Sequence, residues 1–236
     1  MIVPILMYHS ISKDKSNLSI SPKNFEKQIN FLHKLGYKTI NFDDIGKKIQ
    51  KSIIITFDDG YKDNLINALP ILKKYNFTST CFVVSDLIGC SNIWDVNYKN
   101  YVYKELLTKN DLKEWKNYGM SIGSHGKSHK SLIKLNSNQM YDEIFNSKKD
   151  IENSIGSKVE TFSYPFGHIN KISVEYVKEI YDFAVTTIRS RFNTSKHKLY
   201  YIPRIHMSDN LTTIKLYLKL KTFYEDIKYN EKQLYL

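Results

Sequence analysis

Residues 51–60 read KSIIITFDDG. Ile53, Ile54, Ile55, Thr56 and Phe57 form a short β-branched and aromatic run, which predicts a buried strand. The next stretch, YKDNLINALPILKKY (61–75), has helical spacing. Asp58, Asp59 and Gly60 therefore fall where a strand gives way to a helix. Two like charges side by side there are electrostatically awkward, so they call for a chemical reason. Both carboxylates can face one site only if the backbone leaves the strand's alternation, which is a use for Gly60.

Working outward, apolar runs alternate with helical patterns. IVPILMYH (2–9), YKTI (37–40), SIIITF (52–57), FTSTCFVV (77–84) and MSIGS (120–124) read as strands. So do VETFSY (159–164), DFAVTT (182–187) and LYYIPRI (199–205). SPKNFEKQINFLHKLG (21–36) reads as a helix, with Ser21 as N-cap, Pro22 at the first helical position and Gly36 at the end. Helices are also expected at 42–50, 62–75, 111–119, 137–156, 173–180 and from about 210 onward. Seven or eight βα units without a linker predict an α/β protein. The expected form is a single closed parallel barrel over residues 1–236 rather than two domains. Segment 86–110 is the least regular and reads as an insertion or long loop.

Composition excludes several classes. Hydrophobic residues make up 42% of the 236, enough for a sizeable core, and no apolar run approaches the length of a membrane span. The opening MIVPILMYHS has no basic n-region and no small-residue cleavage site, so a cytoplasmic location is expected, the alternative being a leader already removed. Cys81 and Cys90 are the only cysteines and make no disulfide framework; Cys81, in TCFVV, reads as a buried small hydrophobe. The net charge of +11 raises the question of nucleic acid. The lysines are scattered and no nucleic-acid motif is present, so a solvated lysine-rich surface is expected instead, with attraction to anionic membrane surfaces or anionic saccharides as the second reading. The oligomeric state is not encoded in any pattern here.

In a parallel barrel the loops after the strands build the site. Asp58 and Asp59 follow one strand, and SHGKSH (124–129) follows another, with His125 and His129 on one side of a turn. Two imidazoles and a carboxylate are a ligand set for a divalent transition metal that leaves a position for water. One aspartate can then bind metal while the other stays free as a base. A third segment, SYPFG (163–167), is a tight turn after a strand, whose backbone N–H could point into the site.

These motifs resemble the polysaccharide deacetylases of the NodB-homology type, carbohydrate esterase family 4. TFDDG resembles the family's first motif and SHGKSH its second, with Gly126 where the family usually has a hydroxyl residue. YPFG resembles the third. The resemblance implies a distorted (β/α)7 barrel and hydrolysis of an acetyl group, N-linked rather than O-linked, from a saccharide. It implies Asp59, His125 and His129 as metal ligands, with zinc expected and cobalt, nickel or iron compatible. Asp58 would be the general base, and the backbone N–H of Phe166, with Tyr164 beside it, would meet the oxyanion and substrate. The family's third motif usually carries an arginine, absent from FSYPFG; Arg204, in YYIPRIHM, could supply one to Asp58 or be an ordinary surface arginine. The general acid is usually a late histidine, such as His206. However, VPILMYHSI resembles a circularly permuted branch, the poly-N-acetylglucosamine deacetylases, which makes His9 the preferred acid. His33, His168 and His197 read as surface residues. The competing class is a carbohydrate-binding relative without catalysis, against which the intact aspartate pair argues.

Overall fold

The computed structural model describes residues 1–229. Its elements run β1 (Ile2–Val3), β2 (Ile5–Tyr8), α1 (Pro22–Lys34), β3 (Lys38–Thr39), β4 (Ser52–Phe57), α2 (Leu69–Lys74), β5 (Thr80–Val83) and α3 (Lys109–Asn117). They continue with β6 (Ser121–Ser124), α4 (Ser137–Ile155), β7 (Thr161–Ser163), α5 (Lys171–Ile180), β8 (Phe183–Arg189), β9 (Phe192–Asn193), β10 (Ile202–His206) and α6 (Thr213–Lys221). The order β2-β10-β8-β7-β6-β5-β4 closes through β4 back onto β2. Every neighbour in that ring is parallel, so the protein is a seven-stranded parallel barrel surrounded by helices. The short β3 adds to the start of β4, and β1 pairs antiparallel with β9.

Side-chain alternation divides the core. Ile5, Ile54, Phe82, Val185 and Ile202, one from each of five barrel strands, pack in one cluster that fills the lumen. Leu6, Tyr8, Ile53, Ile55, Phe57, Cys81 and Ile205 face the other way, in the cluster shared with the helices. Cys81 is buried as expected, and burial pushes its thiol well up from its usual range.

Three local expectations change. The strand over 2–9 splits at Pro4 into β1 and β2, which join different sheets. The helix at 42–50 is only a 3₁₀ turn, Phe42–Asp44, because Ile45 is extended and Gly46 turns left-handed at φ +100°. The helix at 62–75 starts as a π-turn, Asn64–Ala68, before α2. Pro70 has no N–H to donate one turn back, and the wider turn accommodates it. Pro203 has no N–H for the ladder and distorts its strand: β10 lies between β2 and β8, with a register shift between Ile202 and Arg204. His197 is not a surface residue. It is buried, its Nδ1 accepts from the Asn193 N–H at 3.0 Å, and the Tyr229 ring lies 4.6 Å away.

Candidate active site

The parallel ring puts all seven strand C-termini on one rim, and the motif residues gather there. Ile54 and Thr56 point into the lumen, and Asp58, two residues on, keeps that phase. The backbone then breaks phase at Asp59 itself, which is left-handed at φ +75°, and again at Gly60, φ +70°. Aspartate is among the few residues that enter this region at small cost. A Cβ on Gly60 would stand 3.0 Å from the Val83 side chain, tighter than an ordinary contact, so the close strand packing also favours glycine.

Asp59 Oδ1 lies 3.3 Å from His125 Nε2 and 3.2 Å from His129 Nε2. The three ligand atoms lie within 4.8 Å of one another, and all three residues are buried. His125 Nδ1 sits 2.7 Å from the Ser163 carbonyl oxygen, which can only accept, so Nδ1 carries a proton. In the neutral ring Nε2 then turns a lone pair toward an anionic oxygen. That arrangement asks for a cation between them, which a metal ion supplies. Burial would raise the Asp59 carboxyl, but the two imidazoles outweigh it and hold it well below the usual range. Burial would likewise lower His125, and Asp59 outweighs this to raise it.

The turn between the histidines is held from α4. Buried Glu143 accepts the Lys127 and Ser128 N–H groups at 2.9 Å each and the Ser128 hydroxyl. Gly126, where the hydroxyl residue is usual, is at φ +79°, a conformation that disfavours a side chain. His129 is also left-handed, at φ +57°. The indole of Trp94 stacks on its ring at 4.3 Å, and the Phe166 ring meets it edge-on at 4.7 Å. Trp94 lies in the irregular segment 86–110 and gave no signal in the sequence; neither did Glu143, one of several acids on an amphipathic helix.

Asp58 does not join the cluster around Asp59. Arg204 Nη1 and Nη2 donate to its two oxygens at 2.7 Å each. The guanidinium also donates to the Thr186 carbonyl, Thr56 Oγ1 and Ser163 Oγ. Arg204 is fully buried, not a surface arginine. Burial alone would raise the Asp58 carboxyl; Arg204 outweighs it and keeps the group below its usual value.

His9, just beyond β2, places Nε2 4.0 Å from Asp58 Oδ2. Burial lowers its pKa, against the two aspartates that raise it. The loop after it is pinned by Lys104, whose ammonium donates to Ser10 at 2.6 Å, to Ser12 at 3.0 Å, to Asp63 at 3.2 Å and to Asp14. His206 is turned to the Thr187 carbonyl at 2.8 Å, and burial pushes it down to about 4. Phe166 is left-handed at φ +61° with its ring part-exposed. A Cβ on the following Gly167 would fall 2.0 Å from Thr187 Oγ1, which fixes that turn. Tyr164 is buried, and its hydroxyl donates to the Tyr200 carbonyl at 2.9 Å. His168 is half-buried against Ser131, and His33 is exposed.

A parallel α/β barrel whose C-terminal rim carries a buried Asp–His–His cluster able to hold a metal ion, with a separate buried aspartate beside it, defines the class. The polysaccharide deacetylase family model matches residues 45–181, and the chain belongs to that family. YxkH of Bacillus subtilis, which carries the family's name, is 35% identical over 193 residues. That match covers 78% of this chain, which spans 64% of the relative's length. The poly-β-1,6-N-acetyl-D-glucosamine N-deacetylase of Staphylococcus aureus is 27% identical over 215 residues, 87% of this chain and 73% of that one. The crystal structure of BC0361, a polysaccharide deacetylase from Bacillus cereus, superposes with a TM-score of 0.81 at 29% identity, covering 94% of this chain and 69% of that one. No helix among the described residues is long and apolar enough to cross a membrane.

Proposed function

We propose that this chain is a metal-dependent hydrolase that removes an N-acetyl group from a saccharide. One observation carries the reading: two imidazole nitrogens converge on a single oxygen of Asp59, while the adjacent Asp58 is held apart by Arg204. One carboxylate is thus committed to a cation and the other is left with a lone pair to accept a proton.

Asp59, His125 and His129 would hold the ion; zinc suits this donor set, which also accepts cobalt, nickel or iron. When bound, such an ion would polarise the acetyl carbonyl and make a water acidic. Asp58 takes a proton from the water that attacks the carbonyl carbon. Arg204 keeps Asp58 ionised and aimed. The backbone N–H of Phe166 donates to the oxygen that gains negative charge. His9 gives a proton to the departing nitrogen as the C–N bond breaks, leaving acetate and a free amine. The 4.0 Å approach of His9 to Asp58 supports it as the acid, as does the contact of His206 with a backbone carbonyl. Acetate release from N-acetylglucosamine oligomers tests the reading: it should stop with chelator and return with added zinc. No release from metal-replete protein on any acetylated saccharide would leave a binding protein only.

A further inference from the structure

A cavity of about 460 Å³ opens beside the proposed reaction centre, with His9 and His206 both on its wall. This lies within the size range of small-ligand sites. Its lining includes Arg189 from β8 and Lys215 and Lys219 from α6. No aspartate or glutamate lines it among the described residues. The reacting rim next to it has two, so the two compartments differ in electrostatic character.

Two of these cations are fixed in place. Buried Glu225 accepts from Arg189 Nε and Nη2 at 3.0 and 2.9 Å, and its Oε1 lies 2.8 Å from Lys219 Nζ. Lys219 also donates to the His206 carbonyl at 2.8 Å, tying α6 to β10. Among the described residues, one carboxylate outside the lining therefore holds two cations, which leaves one positive charge over. The pair with Glu225 uses Nε and Nη2 of Arg189, and Nη1 carries two further N–H donors. Lys215 is exposed on α6 and adds a third cation. Side chains already held in one geometry lose little freedom when an anion arrives, and cations in a concave wall concentrate their field on it.

We propose that this cavity is a subsite for an anionic substituent, phosphate or carboxylate, on the saccharide whose acetyl group is removed; this rests on the deacetylase reading above. Arg189, Lys215 and Lys219 form its recognition wall. His9 marks the boundary between this subsite and the reacting bond, so the anion lies on the leaving-amine side of the substrate.

The experiment compares three probes on the metal-replete protein by calorimetric titration: N-acetylglucosamine, its 6-phosphate, and a glucuronate–N-acetylglucosamine disaccharide. An anionic probe should bind about tenfold tighter than the neutral sugar, as expected for one charge-assisted contact. High salt should erode the difference. Lys215→Glu should abolish it, whereas Lys215→Arg should retain it; Lys215 is exposed, so both variants should keep the wild-type melting temperature. A preference for either anion supports the subsite and names its chemistry. Equal binding of all three probes, or a preference that survives Lys215→Glu, would overturn it. Binding is read without turnover, so the two ideas separate. Anion preference without acetate release from any sugar removes the deacetylase reading alone. Acetate release without anion preference removes the subsite alone.

Discussion

Arg204 and Asp58, 146 residues apart, meet through two 2.7 Å hydrogen bonds in the barrel interior. Both are buried, so neither charge is solvated and each depends on the other. Breaking such a pair from one side costs about 3–5 kcal/mol. Arg204→Met should therefore destabilise the protein by roughly that amount in chemical denaturation. It should also raise the Asp58 carboxyl, since the largest influence opposing burial is then gone and only the weaker ones of His125 and His9 remain. A base works only when deprotonated, so the acid limb of the pH–rate profile should move to higher pH. Arg204→Lys keeps the charge but not the two-pronged geometry, and should fall between. An acid limb unmoved in Arg204→Met would detach Arg204 from the base.

The two aspartates should separate by metal content. Asp59→Ala, His125→Ala and His129→Ala each remove one of three ligand atoms, and elemental analysis should show lowered occupancy in each. Asp58→Asn should keep its metal and lose about 10²–10⁴-fold in turnover, the range for a general base. Full occupancy in His125→Ala, or an Asp58→Asn variant within a factor of about two of wild type against that range, would contradict the assignment.

His9 and His206 should separate by pH. The acid must be protonated, so activity should fall as pH rises through its pKa. Burial lowers His9, which places this alkaline limb of kcat/KM below the ordinary histidine value of about 6.5. His9→Asn should lose most acetate release and the limb with it. His206→Asn should keep both, because the His206 ring is engaged with the Thr187 carbonyl at 2.8 Å rather than turned to Asp58. The reverse pattern would transfer the role to His206.

Glu143 should matter through the histidines rather than through substrate. It accepts two backbone N–H groups of the turn that separates His125 from His129. Glu143→Gln exchanges an all-acceptor group for one that must present an N–H donor to part of that turn. Metal affinity, read by competition with a chelating dye, should weaken about 10–100-fold, as for other groups that orient metal ligands. KM measured at saturating metal should stay near wild type.

The sequence alone determined the alternation of strands and helices and the position of TFDDG and SHGKSH after strands, and it set the expectation that the two aspartates differ in role. Those features are local: β-branched runs, turn glycines and the spacing of like residues are carried by neighbours in the chain. It also announced Gly60, although the break in phase begins one residue earlier, at Asp59. Tertiary structure alone decided what surrounds these groups. Arg204 reaches Asp58 because barrel closure sets β10 beside β2 and β2 beside β4. Trp94 covers His129 from a segment with no readable pattern. Glu143 is marked out among the acids of α4 only by the turn that packs on it. The cationic wall beside His9 joins residues of β8 and α6, with Glu225 bonded to two of its cations. Contacts of this kind are fixed by strand register and ring closure, and no window of neighbouring residues contains both partners.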